Sequence, residues 1–367
     1  MVTGLSVRDL AAGLAHADLL ADDASVVDPL LRVDLDQGVV TEGELRCAIE
    51  RARECDRILV GVARDAVPEA LLPLADALDL TLVSETPDSA DVRRCAVPVP
   101  DPLAAAEFLR TRAEAAPQPS LLLARLLRIG ESLSVRHALD LESLTYSNLL
   151  AGPSFAQWLA ARGEPRPAPA LQTSDAVLIR RDGGTLRLTL NRPDRRNAHS
   201  RDLRDALVAG LRIAELDDTV TDVVLDGRGS SFCSGGDLDE FGTAPDPATA
   251  HLIRTRAGAA RPLHAVSSRL TARVHGHCVG AGIELPAFAA SVVADPGSVF
   301  RLPELDMGLI PGAGGTVSIP RRIGRWRTLY LVLTAAPITA DLALRWGLVD
   351  QVETRVEPVA QTRVQAG

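Results

Sequence analysis

Two glutamates next to glycine-rich or proline-containing segments are the residues in this sequence best suited to chemistry. Glu284 follows the motif Gly-Ala-Gly at 280–282, and Glu304 follows Pro303. Two carboxylates on the same face of a substrate can act as a general base and a general acid. Each glutamate also has an ordinary explanation, because a first-turn acid complements a helix dipole and a loop acid is simply solvated. The surrounding segments favour the catalytic interpretation.

Four segments surround these glutamates in a fixed order along the chain. They are NRPDRRNA at 191–198, FCSGGDL at 232–238, HGHCVGAGIELP at 275–286 and FRLPELDMGLIPGAGG at 300–315. One glycine-rich turn of this kind is most often only a turn. Together, in this order and spacing, the segments resemble the crotonase (enoyl-CoA hydratase/isomerase) family over residues 176–352. The resemblance implies an α/β fold with a crotonase-like ββα spiral core, and an enzyme that acts on an acyl-CoA thioester.

The resemblance assigns roles to four residues. The backbone N–H groups of Gly236 and Ala281 would bind the thioester oxygen as it becomes an enolate, and such preorganised donors are worth about 3–4 kcal/mol each. Ala281 replaces the middle glycine of the family's Gly-Gly-Gly, and we expect it to be tolerated because alanine is disfavoured only at positive φ. Glu284 and Glu304 match the acid and base glutamates of the family's hydratases. One would activate water for attack on Cβ and the other would give a proton to Cα.

Candidates for contact with the CoA part of the substrate come from the first two segments. In the family, the segment corresponding to NRPDRRNA lies along the CoA nucleotide and pantetheine arm. The residues that the resemblance places near CoA are Arg195, Arg196, Ala198, Gly235 and Asp237. The two arginines are candidates for a phosphate, although exposed arginines are usually only solvated. Asp237 is also expected to fix its loop by accepting backbone hydrogen bonds.

Three neighbouring features have structural explanations. We expect His199 to make a local contact and to have no catalytic role. The PGAGG segment at 311–315 lacks the Lys-Ser/Thr of a phosphate-binding P-loop, so we expect it to shape the turn into the next helix. Ala290 stands where the family commonly has aspartate. Pro286 lies early in the helix that follows Ala281, where a proline is acceptable only in the first turn.

The elements that must position these residues fall into two parts of the chain. Residues 29–92 alternate between β-like and helix-like stretches, and residues 102–162 contain four helix-like stretches separated by proline, serine or glycine. The proline-rich stretch GEPRPAPALQTSD at 163–175 is the best linker candidate. We therefore predict a smaller α/β and helical domain at residues 1–172 and the crotonase-like catalytic domain at residues 173–367.

The catalytic part begins with a pattern that also occurs earlier in the chain. Residues 176–193 predict a hairpin with an Asp-Gly-Gly turn, followed by a helix at 200–216 and a strand at 222–227. The strand-helix-strand pattern of residues 29–63 echoes that of residues 185–226. This echo indicates an internal duplication.

The resemblance also leaves one departure to explain. A crotonase core normally continues after the GLVD segment, at 347–350 here, with helices that cover the acyl site and build the trimer. The helix-like residues 121–163 resemble those helices but precede the core. We therefore predict that the first half is a degenerate crotonase unit, an inactive scaffold whose helices pack where the later helices of the family lie.

Composition and sequence patterns limit the kinds of molecule that this protein is expected to bind. The 367-residue chain has a net charge of −9, which argues against nucleic acid as the main partner. No apolar run reaches the ~18 residues of a spanning helix and no signal-peptide pattern is present, so we expect a cytoplasmic protein without membrane contact. The five cysteines show no metal-ligand or disulfide spacing. We predict buried free thiols, no metal site and no cofactor beyond the CoA of the substrate.

The leading functional hypothesis is an enoyl-CoA hydratase, a hydro-lyase of fatty acid metabolism. The nearest alternative is double-bond isomerisation or other crotonase chemistry through the same enolate. Isomerases often manage with a single glutamate, so the presence of both favours hydration. A non-catalytic subunit of a larger assembly is a third possibility, since a fold alone does not define a function. The resemblance further implies a homo-oligomer, as a trimer or hexamer.

Overall fold

The computed structural model describes four stretches of the chain: residues 4–36, 40–84, 93–163 and 175–354. These residues form a mixed α/β fold with three sheets, which confirms the predicted fold class. The predicted linker lies almost entirely outside the described residues, and the division into residues 1–172 and 173–367 stays a prediction. In the described stretches, no helix is both long and apolar enough to cross a membrane.

The first part of the chain folds into a parallel sheet of five strands that lie side by side in chain order. The strands are β1 (Leu5–Ser6), β2 (Leu30–Asp34), β3 (Ile58–Ala63), β4 (Leu80–Ser84) and β5 (Ala96–Val99). The helices that follow the first three strands are α1 (Val7–Ala11), α2 (Glu42–Glu54) and α3 (Leu72–Ala77). Every residue of β3 is buried, as in parallel sheets that are covered on both faces. The alternation predicted for residues 29–92 is confirmed in its described part.

Four consecutive helices follow this sheet, as the sequence predicts. They are α4 (Pro102–Ala115), α5 (Pro117–Gly130), α6 (Val135–Leu150) and α7 (Pro153–Arg162). Three of them begin with proline, whose fixed φ suits the first helical position, where its missing N–H is not needed. The remaining helix, α6, begins after Ser134, whose hydroxyl accepts a hydrogen bond from the N–H of His137.

The second part of the chain contains the other two sheets. Its strands are β6 (Val177–Asp182), β7 (Thr185–Leu190), β8 (Asp222–Gly227), β9 (Leu270–Val274), β10 (His277–Val279), β11 (Ser291–Ala294), β12 (Val299–Arg301), β13 (Ile338–Thr339) and β14 (Gln351–Val352). The larger sheet has the order β14-β11-β9-β8-β7-β6, and the smaller has the order β10-β12-β13. Strands β6 and β7 form the predicted antiparallel hairpin, and β8 is the strand predicted at 222–227.

Within the described residues 175–354, six α-helices accompany these strands. They are α8 (Arg201–Leu216), α9 (Pro247–Ala257), α10 (Ala260–Ala265), α11 (Ala281–Glu284), α12 (Gly315–Thr334) and α13 (Ala340–Trp346). Helix α8 is the one predicted at 200–216, with Ser200 as its N-cap. It buries Leu203, Leu207 and Leu211 at helical spacing and lies against β6 and β7.

The helices of residues 121–163 pack against the second part of the chain. Helices α5 and α6 contact α12, α6 also contacts α9, and α7 contacts a 3₁₀ helix at Glu304–Met307. The packing is close, because a methyl group built on Gly312 would lie 2.3 Å from the Tyr146 ring. One hydrophobic core runs through both parts. These helices therefore cover the segments that carry the candidate site, while the origin of the first half by duplication and degeneration stays a prediction.

The cysteines follow the prediction with one exception. All five are free, and four are buried, but Cys47 is exposed. Helix α2 buries only Ala48 and Ala52. Cys47 lies about 100° around the helix from Ala48, because successive residues are rotated by that angle. The prediction of a buried thiol is therefore wrong for Cys47.

Candidate active site

Two backbone segments lie side by side at the centre of the candidate site. The N–H of Cys233 donates to the carbonyl of His277 (3.3 Å), and the N–H of Val279 donates to the carbonyl of Cys233 (3.0 Å). Gly236 and Ala281 follow these paired segments. Neither of their N–H groups donates a hydrogen bond to another group within the described stretches of the chain. Two backbone donors on adjacent segments are thus available to a bound oxygen, as an oxyanion hole requires.

Gly280 sets the direction of the helix that carries Glu284. Its φ is 50°, in the left-handed region that favours glycine. Ala281 is the first residue of α11 and is not among the residues with positive φ, so the expectation that alanine is tolerated at this position is confirmed. Pro286 lies beyond α11, in the first turn of a 3₁₀ helix at Pro286–Phe288. This placement agrees with the requirement for a first-turn proline.

The loop that carries Gly236 is fastened to the preceding segment by backbone hydrogen bonds. The N–H of His199 donates to the carbonyl of Gly235 (2.7 Å), and the N–H of Asp237 donates to the carbonyl of His199 (3.3 Å). The Asp237 carboxylate accepts from the N–H of Asp239 (3.1 Å). Burial lowers the pKa of His199 to about 4, so its ring is neutral at physiological pH. His199 thus holds the loop through its backbone.

Both predicted glutamates are buried, and their carboxylates converge beside Gly280. Glu284 is the last residue of α11 and is 3% exposed, while Glu304 begins the 3₁₀ helix at Glu304–Met307 and is 7% exposed. A methyl carbon built on Gly280 would lie 2.7 Å from Oε1 of Glu304 and 3.7 Å from Oε1 of Glu284. The two oxygens therefore face one point, beside the residue that precedes Ala281.

The two carboxyl groups differ in their hydrogen bonds. Burial raises the pKa of Glu304 to about 8. Burial also raises the pKa of Glu284 well above its usual range, and repulsion from Glu304 raises it further. Oε2 of Glu304 has no hydrogen-bond partner among the described residues, whereas Oε2 of Glu284 accepts two backbone N–H groups. The proton that such a pair retains near neutral pH therefore belongs mainly on Glu304, and the negative charge on Glu284.

A third buried carboxylate, Glu142 of α6, shares the N-terminus of α12 with Glu284. The N–H groups of Ala313 and Gly315 donate to Oε2 of Glu284, at 2.7 and 3.0 Å. Those of Gly314 and Thr316 donate to the carboxylate of Glu142, at 2.8 and 2.9 Å. The hydroxyl of Thr316 adds a bond of 2.7 Å to Glu142. The PGAGG segment thus shapes the start of α12, as predicted, and also binds two carboxylates.

Sequence analysis missed Glu142, although its position in α6 carries a signal. Leu139, Glu142, Tyr146 and Leu149 recur at helical spacing on one face, so a carboxylate interrupts an apolar stripe. Its partner Gly314 lies 172 residues away, which no local pattern connects to it. Burial raises the pKa of Glu142 to about 7, so its charge changes near neutral pH.

The residues predicted to contact CoA lie on two loops: Arg195, Arg196 and Ala198 follow β7, and Gly235 and Asp237 follow β8. Nη2 of Arg195 donates to both carboxylate oxygens of Asp237 (2.9 Å each) and to Asp239 (3.0 Å). Arg196 is exposed and forms neither an ion pair nor a side-chain hydrogen bond with the described residues. Ala198 donates its N–H to the carbonyl of Arg195 (3.1 Å). Arg196 is therefore the better placed of the two arginines for a phosphate, and the CoA contacts themselves stay predictions.

Comparison with known families decides the classification. Residues 180–366, more than half of the 367-residue chain, match the family described as enoyl-CoA hydratase/isomerase. The chain belongs to this family. The crotonase core expected from the sequence is therefore shown, and enzymes of the crotonase family act on acyl-CoA substrates.

The relatives of this crotonase include enzymes named for different reactions. The 2,3-dehydroadipyl-CoA hydratase of Escherichia coli (strain K12) is 38% identical over 176 residues, which are 48% of this chain and 68% of that protein. The 1,2-epoxyphenylacetyl-CoA isomerase of the same organism is 34% identical over 181 residues, 48% of this chain and 69% of that protein. A solved enoyl-CoA hydratase from Thermoplasma volcanium GSS1 is 30% identical, with a TM-score of 0.46, over 51% of this chain and 75% of that chain. Membership of the family therefore does not define which reaction this protein catalyses, and the choice between reactions has to rest on the residues of the site.

Proposed function

We propose that this crotonase is an enoyl-CoA hydratase that adds water across the double bond of a 2-enoyl-CoA thioester. The observation that carries the proposal is the convergence of Glu284 and Glu304 beside Gly280. Close to this point, Gly236 and Ala281 offer backbone N–H groups without an acceptor in the described part of the chain. Hydration through an enolate needs both features. The enolate oxygen needs hydrogen-bond donors, the attack of water on Cβ needs a base, and the protonation of Cα needs an acid.

The thioester carbonyl binds at the two N–H groups. Its oxygen accepts hydrogen bonds from Gly236 and Ala281, and negative charge grows on that oxygen as a nucleophile attacks Cβ. The donors are held in place beforehand, because the paired segments around Cys233 and Val279 fix the backbone on both sides. Little reorganisation is then needed when the charge develops, and this lowers the barrier.

The two glutamates divide the proton transfers. Glu284, held as a carboxylate by two N–H groups of α12, takes a proton from water while the water oxygen bonds to Cβ. The π electrons of the double bond move to form the enolate. Glu304, the better site for the proton, donates it to Cα as the carbonyl re-forms. The product carries OH on Cβ and H on Cα, and the pair is restored when a proton returns from Glu284 to Glu304.

Isomerisation of a double bond is the second candidate. Movement of a double bond can pass through the same enolate. The relative named 1,2-epoxyphenylacetyl-CoA isomerase, 34% identical to this chain, is named for an epoxide substrate and does not bear on this reaction. Movement of a double bond needs a proton moved between two carbons, for which a single carboxyl group is sufficient. The two converging carboxyl groups support hydration over this alternative, and they also argue against a purely structural subunit, which would gain nothing from burying them.

Loss of the enoyl thioester absorbance tests the proposal. Purified protein is mixed with trans-2-enoyl-CoA esters of several lengths, and we expect the absorbance to fall with at least one of them. Glu304→Gln is expected to abolish the loss, while Asp218→Asn, a change at an exposed position, is expected to retain it. Binding of a saturated acyl-CoA without any absorbance loss would contradict hydration and favour isomerisation. Absence of binding as well would favour an assembly role.

Further parts of the proposal concern CoA and assembly. We propose that Arg196 pairs with a CoA phosphate, with Arg195, Ala198, Gly235 and Asp237 shaping the loops that CoA approaches. The chemistry above uses only residues of this chain and the substrate, and we expect no additional cofactor or metal. A trimer or hexamer remains the expectation from the family resemblance, and a cytoplasmic location remains the expectation from the sequence patterns.

A further inference from the structure

A cavity of about 160 Å³ lies between α6, α9 and the start of α12. It adjoins both segments of the proposed site. Ala313, in its wall, donates its N–H to Glu284. His199, also in its wall, is bonded through its backbone to Gly235. The cavity is not itself lined by the four residues proposed for catalysis, Gly236, Ala281, Glu284 and Glu304. We take it as the space for the far end of an acyl chain whose thioester oxygen lies at the two N–H groups.

The wall of this cavity is strongly basic, which an alkyl chain does not require. Its arginines are Arg201, Arg204, Arg254 and Arg261. Two of them are already paired, Arg204 with Asp205 (2.7 Å) and Arg261 with Asp140 (2.5 Å). Arg201 is exposed at the surface. The remaining arginine, Arg254, is the one whose surroundings need an explanation.

Arg254 has only neutral hydrogen-bond partners. Its Nε donates to the hydroxyl of Ser143 (3.2 Å), and its Nη2 donates to the carbonyl of Ser143 (3.2 Å) and to the hydroxyl of Ser147. The guanidinium lies over the Tyr146 ring, 4.5 Å from the ring centroid. None of the described carboxylates is within ion-pair distance, and Nη1 donates to none of the described acceptors. Burial lowers the pKa of Arg254, since its charge is partly removed from water.

The charge of Glu142 attracts this cation, but neither acid in the wall forms an ion pair with it. Glu142 directs its oxygens to the N–H groups at the start of α12. Glu240 accepts from the backbone N–H of Arg201, at 2.8 and 3.1 Å. A fixed, partly desolvated guanidinium thus faces a cavity with an unused donor. An anionic group entering the cavity would supply a direct ion-pair partner, which none of the described carboxylates provides.

On the basis of the proposed hydratase function, we propose that this cavity takes the distal end of the acyl chain and that Arg254 binds a carboxylate carried there. The substrate class is then a short 2-enoyl-CoA ester with a terminal carboxylate, the monothioester of an unsaturated dicarboxylic acid. The planar donors of arginine match a carboxylate in geometry. The cavity, of about 160 Å³, is large enough for a carboxylate with one or two methylene groups.

The test compares two substrates of equal length, trans-2-hexenoyl-CoA and its analogue with a terminal carboxylate. The wild type is expected to show a kcat/KM at least about tenfold higher on the carboxylate. Arg254→Met is expected to lower that value about 10- to 100-fold, the effect of losing hydrogen bonds to a charged group, with little change on hexenoyl-CoA. Arg256→Met, an exposed arginine two residues along α9, is the matched control and is expected to change neither value.

Binding of the saturated esters, hexanoyl-CoA and adipyl-CoA, separates the two proposals. A preference for adipyl-CoA that disappears in Arg254→Met, in a protein that hydrates neither enoyl ester, would overturn the hydratase proposal and support the carboxylate site. Hydration of hexenoyl-CoA with no preference for the carboxylate, or equal losses on both substrates in Arg254→Met, would overturn the carboxylate site alone. If Arg254→Met does not fold, Arg254→Lys takes its place in the same assays. A wild type that shows no preference for the carboxylate substrate overturns the inference without any variant.

Discussion

Glu142 and Glu284 divide between them four successive N–H groups at the start of α12. They come from opposite halves of the chain, and each takes alternate donors. A helix N-terminus favours negative charge, so the arrangement stabilises both carboxylates and fixes the orientation of Glu284. Glu142 is therefore a positioning residue, through which the N-terminal half contributes to the candidate site.

We predict that Glu142→Gln shifts the pH dependence of catalysis. Glu142 raises the pKa of Glu284 by Coulomb repulsion, in addition to the larger effect of burial. Removal of this charge lowers the pKa of Glu284, so the acidic limb of the kcat/KM profile should move to lower pH. The NH₂ group of the new glutamine would also face the backbone N–H groups that Glu142 accepts from. Because two donors cannot bond to each other, the free energy of unfolding should fall by about 1–3 kcal/mol.

The Glu142 prediction is checked with pH-rate profiles and urea unfolding. Glu50→Gln, at an exposed position of α2, is the control and should leave both unchanged. A Glu142→Gln enzyme with the wild-type pH profile would show that Glu142 serves stability only.

A pair of substitutions at Ala281 separates the backbone donor from the side chain. Ala281→Pro removes the N–H at the first position of α11, where the ring of proline is compatible with a helix. We expect kcat to fall about 100- to 1000-fold, the usual effect of losing one oxyanion donor. Ala281→Gly keeps the N–H and should retain most activity, at a stability cost of about 1 kcal/mol. Equal activity of the two variants would exclude Ala281 as a donor.

Much of the fold was predictable because it depends on local patterns. The hairpin at 176–193 and the helix at 200–216 follow from alternation, helical periodicity and capping residues. The glutamates at 284 and 304 were found because they stand within short motifs of fixed spacing. Their convergence beside Gly280 depends on the tertiary fold, and only the structure reveals it.

Other features could not be read from the sequence because they join distant parts of the chain. Glu142 meets Gly314 across 172 residues, and Arg254 meets Ser143 across 111. In both cases a polar side chain interrupts or borders an apolar helix face. This pattern predicts that the side chain has a buried partner, but it does not predict which residue the partner is. Cys47 shows the opposite error, since a cysteine is usually buried and this one lies on the exposed side of α2.

Stability should decrease as pH rises, because burial raises the pKa of Glu304 from 4.5 to about 8. The folded state then holds a proton that the unfolded chain has lost, so the free energy of unfolding falls between about pH 4.5 and pH 8. The slope for one proton is about 1.4 kcal/mol per pH unit. Burial also raises the pKa of Glu142 and of Glu284, and both add to the slope. Glu304→Gln should therefore make the slope shallower by about the contribution of one proton, as measured by urea unfolding at pH 5, 6.5 and 8. Parallel curves for wild type and variant would contradict the raised pKa.

Arg196 is predicted to act in binding and not in the chemical step. It is exposed, with no ion pair among the described residues, on the loop assigned to CoA. Arg196→Ala should raise KM for an acyl-CoA about 1.5- to 5-fold, the value of one exposed ion pair, and leave kcat unchanged. The effect should shrink as salt rises, because screening weakens exposed charge pairs. Arg180→Ala, at an exposed position on β6, serves as control; an equal change there would remove the specific role of Arg196.

The most direct test is the steady-state rate of hydration by the wild type, Glu284→Gln, Glu304→Gln and the double variant, with the best enoyl-CoA substrate. Each single change should lower kcat about 100- to 10,000-fold, and the double change should cost little more, because the two residues act as one acid-base pair. Saturated acyl-CoA should still bind to all four proteins. Hydration at the wild-type rate by either single variant would contradict the roles of Glu284 and Glu304.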